Sequence, residues 1–207
     1  MVIASQQTER AQIARIAYVV LAWFVLVLSG SVLGIFAHYP LVFYLAVGGP
    51  VIVYVAAYLL STAFRRFVRA FVGDPWGITA IQVYRVLGVA MAIQALRGAL
   101  PAVFGLPAGV GDFFIGLTAL LAALAWSSGG RQGKVVFVLW NALGLLDLII
   151  ALGTGALALL TQSGPATMAP MRLYPLSLVP AFGVPLAFIL HMTGLTQYWH
   201  LSRKRSS

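Results

Sequence analysis

Apolar residues run through this chain in long blocks, each interrupted by one or a few polar positions and parted by short segments that hold most of the basic residues. A helix needs about 20 residues to cross bilayer hydrocarbon. Blocks of about that length fall at 16–37, 41–62, 78–99, 109–127, 135–161 and 175–199. Runs this long and this apolar predict helices bathed in lipid, because a spanning segment must satisfy its own backbone. The predicted fold is an all-α polytopic membrane protein: one helical-bundle domain over 1–207 with six transmembrane helices.

Composition agrees. The chain is 61% hydrophobic and 8% charged, with mean hydropathy +0.98, whereas a globular domain carries roughly 25% charged residues. A water-compatible surface cannot be built from it. The net charge of +9 does not point to nucleic acid, because the basic residues sit between spans. Anionic headgroups on the cytoplasmic face are the natural partner. Cysteine is absent, which excludes disulfides, thiolate metal sites, Fe–S clusters and thiol catalysis. The first block exceeds a signal-peptide core of about 7–15 residues and is read as a retained helix.

Basic residues alternate between connections. Arg10 and Arg15 precede the first span, Arg65, Arg66 and Arg69 follow the second, Arg131 and Lys134 the fourth, and Arg203, Lys204 and Arg205 the sixth. The other side of the spans holds only Arg97, at the outer end of span three, and Arg172. The positive-inside rule then predicts both termini in the cytoplasm. The expected location is a multi-pass position in a bacterial cytoplasmic (inner) membrane.

Local patterns add detail. Gly30-Ser-Val-Leu-Gly34 permits close approach of another segment, within the chain or in a second copy. Gly48-Gly49-Pro50 predicts a kink or unwound stretch in span two. Phe64, Phe67 and Phe71 alternate with Arg65, Arg66 and Arg69, the pattern of a short interfacial helix over 63–72. Asp74 is the expected cap of span three. The Gly- and Pro-rich stretch 98–111 reads as an apolar external connection, tucked against the bundle or re-entrant. In span six, Pro175 is expected to open the helix, and Pro180 and Pro185 to bend it.

Candidate chemistry lies inside the spans. Of four acids in the chain, Asp112 and Asp147 fall within apolar blocks, as do Arg85 and Arg97. A carboxylate in hydrocarbon costs a few kcal/mol unless paired, protonated or hydrated. The expected pairs are Arg97 with Asp112, near the outer end of span four, and Arg85 with Asp147. Gln82 shares a helix face with Arg85. Asn141 and Trp140 precede Asp147 and extend a polar path, or serve as interhelical contacts. Gly109-Val-Gly-Asp112 and Gly144-Leu-Leu-Asp147 repeat a short pattern. His191 is the one buried candidate to contact a haem b; otherwise it is a hydrogen-bonding core histidine. No soluble-enzyme motif appears.

Three functions remain open. One is a small-solute or ion transporter or channel, proton-coupled through Asp147, Asn141, Arg85, Gln82, Asp112 and Arg97, acting as a homo-oligomer. Another is a haem- or quinone-binding redox component. The third is an accessory subunit of a larger membrane complex, its charges fixing helix packing.

Overall fold

A computed structural model describes residues 2–71, 75–161 and 165–204. Asp74, the expected cap of span three, lies outside these. The described residues form α1 (Val2–Val32), α2 (Ile35–His38), α3 (Pro40–Leu60), α4 (Thr62–Phe71), α5 (Pro75–Ala80), α6 (Val89–Leu96), α7 (Ala102–Ser127), α8 (Arg131–Leu160) and α9 (Val184–Lys204). A 3₁₀ stretch, Ile81–Gly88, joins α5 to α6, and a π-helical stretch, Val179–Gly183, leads into α9. Six helical segments are long and apolar enough to cross a membrane, as the blocks predict.

Helix α7 is the hub. It packs on α8, on the 3₁₀ stretch and on α5 and α6. Its buried face is built largely of small residues: Gly105, Ala108, Gly109, Gly116, Ala119, Ala122 and Ala123. In lipid no hydrophobic drive pulls helices together, so small residues that bring backbones close supply the contact. Helix α9 closes the other side, touching α8, α3, α4 and α5. Helix α1 is peripheral, with 11% of its apolar window buried against 44% for α7. Its anchors are the Ser31 and Ser177 hydroxyls, 2.5 Å apart, and the rings of Trp23 and Phe24 against Phe182.

Several local expectations need correction. Gly34 does not extend a helix seam; at φ 72° it turns the chain, a conformation that suits glycine. Phe36 folds back so that its ring sits beside Gly30, a contact within the chain of the kind that the small-residue pair permits. Helix α3 runs through Pro50 without an unwound stretch. The stretch read as an external connection is mostly helix, since α7 begins at Ala102 and takes Pro107 into its body. Pro175 lies in a turn before the last helix, while Pro180 falls in the π stretch, where a distortion was expected.

Helix α4 exists over nearly the expected residues. Arg65 Nη1 donates to the carbonyls of Tyr58 (3.0 Å) and Leu59 (2.7 Å). It thereby satisfies acceptors that the end of α3 leaves open.

The third span departs most from regular geometry. Thr79, Gln82, Arg85, Gly88 and Met91 are all buried, a spacing of three rather than 3.6. A 3₁₀ helix stacks residues i and i+3 directly. The tightened stretch therefore lays Gln82, Arg85 and Gly88 in one row.

Candidate functional site

Arg85 sits midway along the third span with 1% of its side chain exposed. A guanidinium offers five N–H donors in a fixed plane, and three of its nitrogens are used in three directions. Nε donates to Asp112 Oδ1 at 2.7 Å. Nη2 donates to Asp147 Oδ2. Nη1 lies 3.0 Å from His191 Nε2. One cation thus ties α7, α8 and α9 to the third span.

The contact with His191 fixes that ring's state. Arginine can only donate, so Nε2 must accept and carries no proton. The proton then sits on Nδ1, which lies 3.0 Å from Asn141 Oδ1. Asn141 in turn donates through Nδ2 to Phe137 O at 2.9 Å. The chain Arg85–His191–Asn141–Phe137 has a single consistent direction, and His191 in it is neutral. Trp140 packs on the same ring at 5.0 Å between centroids and donates from Nε1 to Thr118 Oγ1 at 3.0 Å.

Formal charge does not balance. Two carboxylates face one guanidinium and a neutral imidazole, leaving one surplus negative charge among largely buried groups; the Asp112 and Asp147 side chains are 10% and 12% exposed. Each carboxylate has a second oxygen, Asp112 Oδ2 and Asp147 Oδ1, that takes no hydrogen bond from the described residues. Gln82 Oε1, one 3₁₀ turn from Arg85, is buried and also lacks a partner among them. Leaving such an atom unsatisfied costs about 1–3 kcal/mol.

Glycines make room for the cluster. A Cβ on Gly88 would strike the Asp112 carboxylate, one on Gly111 the Asp147 carboxylate, and one on Gly144 the His191 ring. These three positions were not singled out for this role in the sequence. Adjacency in the sequence points to the wrong partners, because Gly111 stands beside Asp112 yet makes room for Asp147, and Gly144 precedes Asp147 yet makes room for His191.

The structure thus gathers Arg85, Asp112, Asp147, Asn141 and His191, with Gln82 alongside. It corrects the outer pair. Arg97 is exposed beyond α6 and pairs with no carboxylate among the described residues, while Asp112 belongs to Arg85. Because α7 starts earlier than expected, Asp112 lies about three turns inside it. That brings it to the depth of Arg85. Both nitrogens of His191 are engaged by Arg85 and Asn141, so this arrangement offers neither to a haem iron. Among the described residues no group of three His, Cys, Asp or Glu side chains could hold a metal ion.

Together these features define a class: a multi-pass helical protein compatible with a membrane, organised around a buried ion cluster. The chain belongs to the family described as Domain of unknown function (DUF8737), matched over residues 40–198. All the residues of the cluster fall in that range. Among curated proteins and among solved structures, nothing matches.

Proposed function

We propose that the protein is a proton-coupled transporter of a small solute, with Arg85, Asp112 and Asp147 as the coupling site. The observation that carries this reading is the uneven charge count. A cluster needed only to lock helices together is best served by equal charges, since a buried net charge is expensive. A surplus carboxylate in a spanning segment instead suits a site that alternately takes up a proton or a cationic group.

Two irregular backbone segments support the reading. Arg85 is carried by a 3₁₀ stretch, and the π stretch Val179–Gly183 precedes the helix that carries His191. Non-standard helix inside a span often marks a hinge or a binding position. Gln82 Oε1, buried in the Arg85 row and without a partner among the described residues, is a spare acceptor that a solute's donor would reach once the bundle opens. A chain of 207 residues acting as a homo-oligomer would place several such sites in one assembly. Both termini on the cytoplasmic side, with α4 lying in the anionic interface of an inner membrane, complete the proposed arrangement.

Proteoliposomes enclosing a pH-sensitive dye test the reading against a panel of small solutes under an imposed pH gradient. Proton movement should accompany at least one solute, and Asp147→Asn and Arg85→Lys should each abolish it. Solute flux that persists unchanged in both variants, with each eluting like wild type in detergent, would overturn the proposal. Loss of assembly without loss of any flux would favour an accessory subunit instead.

A further inference from the structure

An apolar cleft of about 510 Å³ opens between α1, the 3₁₀ stretch and the π stretch, and it reaches the ion cluster from one side. That volume lies within the ~300–1,000 Å³ of small-molecule sites. Its walls include the aromatic residues Phe24, Tyr84 and Phe182 together with Leu178, and its lining reaches Gly88 and Asp112. Tyr84 donates its hydroxyl proton to Gly183 O at 2.7 Å, so that polar tip is already spent.

We propose that this cleft is the binding site for a lipophilic cation: an apolar body in the aromatic walls, with its positive charge beside Asp112.

Charge selects the occupant. The charged residues that line the cleft are Arg85 and Asp112. Arg85 is 1% exposed and directs its nitrogens at Asp112, Asp147 and His191. Asp112 has Oδ2 free of any hydrogen bond from the described residues. The carboxylate rests over Gly88, whose missing side chain leaves it in reach of the cleft. An anion or an uncharged lipid tail gains nothing from this floor. A cation neutralises the surplus charge of the cluster and also meets the negative faces of aromatic rings, an attraction that strengthens away from water. The proposal names the solute class for the transport reading and rests on the same cluster, but binding and flux are separately measurable.

The test uses two ions of nearly one shape and opposite charge, tetraphenylphosphonium and tetraphenylborate, on the full chain in lipid nanodiscs. Equilibrium dialysis should show saturable binding of the phosphonium, while the borate merely partitions in proportion to lipid. Asp112→Asn should weaken phosphonium binding by more than about tenfold. Gly183→Leu provides a second variant that leaves the cluster untouched. A Cβ at Gly183 meets Tyr84 Cε2 at an ordinary 3.6 Å, so the backbone tolerates it while the longer side chain fills the cleft and abolishes binding. Equal, unsaturable uptake of both ions overturns the proposal, and so does saturable phosphonium binding indifferent to both substitutions. Phosphonium binding without any coupled flux upholds the site and defeats transport. Asp147-dependent flux of another solute without phosphonium binding does the reverse.

Discussion

Replacing Arg85 by methionine removes the cluster's one cation while keeping an unbranched side chain of similar length. Three contacts go at once: the bonds to Asp112 and Asp147 and the donor to His191 Nε2. Breaking a buried ion pair from one side costs about 3–5 kcal/mol, because the orphaned charge stays behind. Here two carboxylates are orphaned, but each can bind a proton, so the total is held near that range rather than doubled. The five tryptophans, Trp140 beside His191 among them, supply an intrinsic fluorescence readout for unfolding in mild detergent. Arg85→Met should lose about 3–5 kcal/mol. Adding Asp112→Asn and Asp147→Asn in the same chain should recover most of it, since replacing a whole buried set with uncharged groups is commonly neutral or better. A single variant within about 1 kcal/mol of wild type, or a triple variant no better than the single, would refute the shared-cation arrangement.

Gly144→Ala should destabilise by about 1–3 kcal/mol, because the new methyl occupies the space of the His191 ring; Gly48→Ala, with nothing within 4 Å of its added carbon, should be neutral or stabilising in the same unfolding assay. Tyr84→Phe deletes the bond to Gly183 O and should cost about 1 kcal/mol in that assay. The absence of native cysteine makes sidedness simple to read from Thr161 and Gln132, exposed at opposite ends of α8. With a membrane-impermeant maleimide, intact cells should label Thr161→Cys and leave Gln132→Cys unlabelled until they are opened.

The spans were legible because lipid imposes one coarse demand, length and apolarity, that composition displays directly. The residues of the cluster were legible for the complementary reason: Arg85, Asp112, Asp147, Asn141 and His191 are polar where polarity is costly. Their pairing was not. Pairing depends on depth, and depth on where helices begin. Gly98, Pro101, Gly105, Pro107 and Gly109 look like a connection, yet Pro107 is tolerated within the early turns of α7. That shift of start moved Asp112 from the rim to Arg85. The 3₁₀ row was equally hard to see, since Thr79, Gln82, Arg85 and Gly88 differ in character and only their spacing of three unites them. Gly88, Gly111 and Gly144 each reveal their purpose only when the neighbouring helix is present.

The order in which the shared cation meets its partners bears on how the chain enters a membrane. The third span has the lowest mean hydropathy of the six, 1.4, and holds Arg85 at its middle. An arginine at the centre of a spanning helix opposes insertion by about 2.5–3.5 kcal/mol. Its carboxylates come afterwards in the chain, in α7 and α8, and its histidine later still, in α9. The third span is therefore expected to insert poorly on its own and to be helped by the fourth and fifth, which carry the two acids. A chain truncated between Leu96 and Asp112 should insert its third span less completely than one that continues past Asp147, which a glycosylation-site insertion assay would read.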